Sequence, residues 1–191
     1  MIPSLQQCFA LMDEYRMLAN IRAHSLLVAR VAGLMAEQLH RRGVPVSVAL
    51  TVAGALLHDI AKTVCLDCDG NHAAMGSEIC RRHDYGELAE IVAEHVLLQD
   101  GLAPECCREK EIVYYADKRV LHDQVVGLDE RLTYILARYG RDDQRLHGLI
   151  RQNFALCRQV EERLFALLPW APTELAGVVA NHAVTLGEET F

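Results

Sequence analysis

At 191 residues the chain has the length of one domain, long enough to bury a core without disulfide or metal staples. It is 51% hydrophobic and 24% charged, with five prolines and twelve glycines, which excludes an extensively disordered or fibrous class. The formal net charge of −7, with no basic run longer than two residues, excludes a general nucleic-acid-binding face; no apolar run reaches the roughly 18 residues of a membrane span.

The opening MIPSLQQCFALMDEYRML has no basic n-region and is interrupted by Asp13, Glu14 and Arg16, unlike a secretory signal. Seven cysteines at irregular spacings do not read as a disulfide framework, so a reducing cytoplasm is the expected compartment. Over about 18–41, Ile21, His24, Leu27, Val28, Val31, Leu34 and Met35 form one stripe at helical spacing. Gly43-Val44-Pro45 breaks it, and Ser47 is an N-cap for a helix over about 48–62. That helix is apolar almost all round, which predicts a central, buried position. Residues 65–71 read as a loop, and helices follow at about 72–83, 86–98 and 109–123, separated by Asp84–Gly86 and Asp100–Pro104. Further helices run over about 129–139, ended by Gly140, from Asp142 to about Leu168, and from Thr173 to Asn181. No period-two alternation and no internal repeat appears. The expected class is all-α.

His58 and Asp59 end the most hydrophobic helix, between Leu56-Leu57 and Ile60. An ionised carboxylate there is costly unless it is paired or binds a metal. Adjacent helical residues point about 100° apart, so both can serve one ion only near the helix end, where the sequence puts them. Taken alone, the pair reads equally as a helix-terminal histidine beside a solvated aspartate. His24, on the apolar stripe, is by itself more often a core histidine than a ligand. Asp117 lies beside the buried face of Ile112, Val113 and Ala116, where Lys118 or Arg119 could partner it.

Together HSLLVARVAGLMA, ALLHDIAK, HAAMGSEIC, AEIVAEH and YYADKRV, in that order over about residues 20–125, resemble the HD-domain superfamily of metal phosphohydrolases. ALLHDIAK is close to the HDIG-K form of many bacterial members, with Ala61 in place of the glycine. The resemblance implies a compact HD-domain helical bundle. Residues 20–125 would be its metal-binding core and 126–191 a helical C-terminal extension packed on it, within a single domain over 1–191. It also implies the ligand set His24, His58, Asp59, His72, His95 and Asp117, the two histidines between the HD pair and the final aspartate, His72 and His95, making the centre dinuclear. Asp59 would bridge, since a carboxylate has two oxygens and an imidazole one free lone pair. On the residues alone, His72 also reads as a helix N-terminal residue and His95 as a core histidine. Four histidines with two carboxylates suit Fe or Mn, with Zn, Ni, Mg or Co as further divalent ions.

The chemistry implied is hydrolysis of a phosphate ester or anhydride of a nucleotide or related small molecule by a metal-activated hydroxide. Asp59 and Lys62 are the expected catalytic residues. Lys62, one turn after His58, either binds a phosphate oxygen or simply complements the helix C-terminus. Bacterial dinuclear members, including diadenosine tetraphosphate hydrolases, are the most similar subgroup, but KRVLHDQVVGLDERL departs from their pattern; the longer HD-GYP signature of cyclic-nucleotide phosphodiesterases is absent. The reading from a different class is a non-catalytic metal- or nucleotide-binding regulatory module. Expected partners are a small phosphorylated substrate and a second copy in a homodimer, with neither nucleic acid nor membrane.

Other signals carry less. Cys65-x-x-Cys68 lacks a second pair, which Cys106-Cys107 does not supply. His83, with Arg81 and Arg82, is expected on a solvated helix end, with a place on the cleft wall as the alternative; His40, His122, His147 and His182 are expected at the surface or between helices. Lys118 and Arg119 are expected to face solvent. Leu146, Leu149, Ile150, Val160, Leu164 and Leu167 read as core packing or a dimer face, and Arg138, Arg141, Arg145 and Arg151 as a solvated face or a reach into the cleft.

Overall fold

A computed structural model describes residues 1–67, 70–99, 101–102, 107–182, 185–186 and 189–190. The fold is all-α: α1 (Leu5–Glu14), α2 (Ala19–Arg41), α3 (Val48–Leu57), α4 (His72–Arg82), α5 (Gly86–Glu94), α6 (Glu109–Lys118), α7 (Leu128–Tyr139), α8 (Gln144–Phe165) and α9 (Leu175–Ala180). α1 was not legible in the sequence pattern, although Ser4 and Gln7 form a reciprocal capping box at its start.

α3 lies at the centre, as its uniform hydrophobicity predicts, with α1, α2, α5 and α6 around it. Ser47 caps it by accepting from the Leu50 amide at 3.2 Å. The helix stops at Leu57 rather than near 62, and His58 to Thr63 run in turns. The α2 stripe expected from spacing is buried except at Leu27. α4 begins where Asn71 accepts from the Ala73 and Ala74 amides. α5 and α6 end at Glu94 and Lys118, earlier than periodicity alone suggests.

One glycine sets the spacing at the centre. A Cβ on Gly54 of α3 would lie 2.7 Å from Cγ2 of Ile91 on α5, closer than side chains tolerate. The missing side chain lets the two helices meet, and both end beside the site described below.

Two short hairpins interrupt the helices, where none was expected. Val120–Leu121 pairs with Gln124–Val125, and Thr185–Leu186 with Glu189–Thr190. The first turns through His122, at φ +55°, and Asp123. Strands of two residues are too short to show alternation in sequence. α7 and α8 pair with one another, and α8 also packs on α6: Tyr114 Oη donates to the Asn153 carbonyl at 2.8 Å, and Arg119 reaches Glu161 at 3.1 Å. Among the described residues no helix is long and apolar enough to cross a membrane.

Candidate metal centre

The turn that ends α3 brings His58 and Asp59 to the same point. His58 caps the helix and donates Nδ1 to the Ala55 carbonyl at 2.7 Å, which leaves Nε2 as the free lone pair. His95 does the same at the end of α5, donating Nδ1 to the Val92 carbonyl at 2.7 Å. The two rings lie edge to face with centroids 5.0 Å apart.

Asp59, 1% exposed, stands between two histidine groups. Its Oδ2 is 3.5 Å from His58 Nε2, and its Oδ1 is 3.4 Å from His72 Nε2 and 3.6 Å from His95 Nε2. His72, at the first turn of α4, and His95 bring their Nε2 atoms within 3.2 Å of one another. On the other side, α2 supplies His24, whose Nε2 is 3.1 Å from Asp117 Oδ1 at the end of α6; that oxygen is also 3.8 Å from His58 Nε2. All six residues implied by the resemblance therefore meet. They form two groups that could each hold an ion, His24-His58-Asp59 and Asp59-His72-His95, with Asp59 common to both.

The electrostatics are those of a cation site. Burial alone would push the Asp59 carboxyl up, but His58, His95 and Lys62 outweigh it and hold the group well below the usual carboxylate range. Burial acts likewise on Asp117 and is overcome by His24, Lys118, Arg131 and His58. Burial pushes the His72 imidazole down to about 4, keeping it neutral and able to donate a lone pair. His58 Nε2 is buried with no hydrogen-bond partner. Leaving such an atom unsatisfied costs about 1–3 kcal/mol, and a cation at that point removes the cost. Donor atoms sharing one ion at about 2.1 Å stand roughly 3–3.5 Å apart, close to the separations around Asp59. The residues fit divalent metal.

Lys62 Nζ is 2.7 Å from Asp59 Oδ2, and this ion pair raises its ammonium pKa against the lowering effect of burial. Two cavities open from the centre. The larger, about 510 Å³, runs from His72 and His95 towards Ile135, Leu146, Ile150 and Phe154. The smaller, about 320 Å³, runs from His24 towards Asn20, His122 and Tyr134. Asp59, Lys62, Arg131, Arg138 and Tyr139 line both.

Several expectations need correction. Lys118 and Arg119 do not face solvent; each is 5% exposed. Lys118 donates to the His95 and Tyr114 carbonyls at 2.9 and 3.3 Å, bracing the end of α5. Arg119 donates to the Val126 and Pro172 carbonyls and bonds Tyr115 and Glu161. His83 does end α4 as expected, and of its two readings only the place on the cleft wall fails: it meets Tyr15 Oη at 3.3 Å and lines neither cavity. Of Arg138, Arg141, Arg145 and Arg151, only Arg138 lines the cavities. Cys65 borders the larger cavity, while Cys68 and Cys106 lie outside the described residues. Leu149 and Leu167 are exposed, whereas Val160 and Leu164 are core.

Sequence reasoning missed Arg131, Tyr134 and His122 as cavity residues. A signal existed: Arg131, Tyr134, Ile135, Arg138 and Tyr139 fall at i, i+3, i+4, i+7 and i+8, one helix face mixing arginine with aromatic rings.

Curated relatives are similar to about half of this chain. Ribonuclease Y of Pseudothermotoga lettingae is 38% identical over 98 residues, 51% of this chain and 18% of the relative. Ribonuclease Y of Thermosipho melanesiensis is 39% identical over 98 residues, again 51% and 18%. That of Treponema pallidum is 35% identical over 99 residues, with the same shares. The similarity thus spans about half of this chain and under a fifth of each relative. No solved structure matches. The HD domain family model matches residues 21–120, the stretch from α2 to the end of α6 that supplies all six converging side chains, and the chain belongs to that family, one of metal-dependent phosphohydrolases.

Proposed function

We propose that this protein hydrolyses a phosphate ester or anhydride of a nucleotide or related small molecule at a two-metal centre. One half would be held by His24, His58, Asp117 and Asp59, the other by His72, His95 and Asp59, with Asp59 bridging. The single observation that carries this reading is the division of the Asp59 carboxylate, one oxygen towards His58 and the other towards His72 and His95. A histidine–aspartate ion pair kept only for stability has no use for a second, separate histidine group on the same carboxylate. Fe or Mn fits the donors best, with Zn, Ni, Mg or Co as further divalent ions. Such ions, when bound, supply Lewis acidity towards water and the phosphoryl oxygens.

The chain's own residues do the rest. The Nδ1 bonds of His58 and His95 fix which nitrogen faces the centre and how each ring is turned. Asp59 and Asp117 stay ionised. Lys62, Arg131 and Arg138 surround the cavity floor with positive charge that binds phosphoryl oxygens and stabilises the charge developing on them. The reading takes residues 20–125 as metal-binding core and 126–191 as an extension that walls the cleft, all within one domain in the cytoplasm.

Metal analysis of the purified, reconstituted protein tests the first step, with about two ions per chain expected and fewer than about 0.5 overturning the model. Phosphate or alcohol release from a panel of nucleotides, dinucleoside polyphosphates and phosphosugars tests the second. No turnover by metal-loaded protein would favour the regulatory binding module instead. The relatives' name, Ribonuclease Y, stands against the expectation of no nucleic acid, so short RNA belongs on the panel.

A further inference from the structure

The two cavities are not interchangeable, and each adjoins one half of the centre. The smaller begins at His24 and is mixed, with Asn20, His122 and Tyr134 on its walls beside Leu18 and Ile21. The larger begins at His72 and His95 and is apolar further out, with Ile135, Leu146, Ile150 and Phe154. Both reach Asp59, and Arg131, Arg138 and Tyr139 of α7 line both. Arg131 of α7 has its side chain 11% exposed, its guanidinium 3.7 Å from Asp117 Oδ1 and its Nε buried without a hydrogen-bond partner. Arg138, two turns further along α7, is exposed and forms no ion pair among the described residues. Two arginines on one helix face, both lining both cavities, are arranged for a phosphoryl group lying across the junction.

We infer that α7 is a substrate-recognition element. It selects a phosphoryl group substituted on both sides, a phosphodiester or a phosphoanhydride joining two groups, over a terminal phosphomonoester. This deepens, and rests on, the hydrolase reading above. One group enters each lobe: a flat or apolar one, such as a nucleobase with its sugar, against Ile135, Ile150 and Phe154, and a more polar one beside Asn20, His122 and Tyr134. Each volume is near the lower part of the range of small-molecule sites, about 300–1,000 Å³, which suits two groups of nucleoside size rather than a polymer. Arg131 and Arg138 hold the bridging phosphoryl oxygens over Asp59. In the reaction water forms the new P–O bond, the P–O bond to one group breaks, and the leaving oxygen takes the proton released by the water. A terminal monoester fills one lobe only and forfeits the binding of the other. A net charge of −7 with no basic run longer than two residues gives long RNA little electrostatic attraction beyond the two lobes.

The experiment compares matched substrates on metal-loaded full-length protein: a dinucleoside monophosphate, a dinucleoside polyphosphate and the corresponding nucleoside monophosphate. Narrowing variants are Asn20→Trp in the smaller lobe and Leu146→Trp in the larger, with Arg138→Ala on α7; exposed Asn20 and Arg138 and half-buried Leu146 let the variants fold, which thermal melts verify. The wild type should favour a two-sided substrate over the monoester by about tenfold or more in kcat/KM, and each narrowing variant should erode that preference about tenfold. Arg138→Ala should raise KM for the two-sided substrate. Equal or better turnover of the monoester, or equal losses on both substrate types, overturns this inference and leaves the hydrolase reading standing. Turnover confined to RNA longer than a dinucleotide overturns the two-lobe selection in the same way. No turnover of any of them overturns the hydrolase reading and this inference together.

Discussion

His58 and His95 are held in the same manner: each ends a helix, donates Nδ1 to the carbonyl three residues upstream at 2.7 Å, and turns Nε2 towards a different oxygen of Asp59, at 3.5 and 3.6 Å. Two helices thus present equivalent lone pairs to opposite sides of one carboxylate. A hydrogen bond from the remote ring nitrogen is the usual support of a metal-ligating histidine. The equivalence also means that the two halves of the centre can be separated by mutation.

Asp59→Ala removes the ligand common to both halves and is expected to lower bound metal to under about 0.5 ion per chain, whereas His95→Ala leaves roughly one. Elemental analysis after reconstitution distinguishes the two. Chelation of the wild type should lower its melting temperature by about 5–10 °C, since saturation one hundredfold above Kd stabilises by about 2.7 kcal/mol. An Asp59→Ala protein that melts at the same temperature with and without chelator completes the pattern; one that keeps both ions refutes the bridge.

The metal-free protein should lose stability in mildly acidic solution through His72. Burial depresses its imidazole to about 4 in the folded state, against about 6.5 when unfolded. Between those values the unfolded chain binds more protons, so stability rises with pH, and falls as pH drops from about 6.5 towards 4. The change is on the order of 3 kcal/mol at most. Asp59 and Asp117, held well below the usual range, add their losses only at lower pH. Urea unfolding of chelated protein at several pH values measures the slope, and His72→Gln should flatten it across that window while leaving the acid limb.

Lys62→Met is expected to lower kcat/KM roughly tenfold to hundredfold on any substrate the wild type hydrolyses, with bound metal undiminished. Lys62 Nζ sits at the junction of the two cavities, paired with Asp59 at 2.7 Å, and its side chain is 36% exposed. A lysine that merely closed the helix end would matter to stability alone, so unchanged kinetics with a lower melting temperature would remove it from the site. Steady-state kinetics and metal analysis on one preparation decide between these.

Much of this was written in the sequence because the ligands sit on elements whose periodicity is strong. His24 lies within the α2 stripe, and His58-Asp59 follow an apolar run that could only be buried. The sequence also placed the pair at a helix end, although the helix stops a turn earlier than its composition suggests. Lys118 and Arg119 were misread because their partners are backbone carbonyls and a glutamate far along the chain, at His95, Val126, Pro172 and Glu161, and no local pattern announces such contacts. The α7 face was passed over for a related reason. Arg131 and Arg138 at helical spacing look the same on a solvated helix as over a cleft, and only the approach of α2, α4 and α8 decides which it is.

The closeness of α3 and α5 was also hidden, and it offers a test that joins packing to the site. A methyl group at position 54 would lie 2.7 Å from Cγ2 and 3.1 Å from Cδ1 of Ile91. Gly54→Ala should therefore cost about 1–3 kcal/mol by overpacking, despite the better helix propensity of alanine. Ile91→Ala removes both offending carbons at the expense of a cavity, worth roughly 2–5 kcal/mol alone. In that background the new methyl fills vacated space, so the double variant should be more stable than the sum of the single losses by about 1 kcal/mol or more. The metal site should register the same strain, because His58 and His95 end these two helices. Gly54→Ala is expected to weaken metal binding, and the second substitution to recover part of it. Additive stabilities in urea, or metal affinity indifferent to Gly54→Ala, would show that the spacing of the two helices does not set the spacing of the two histidines.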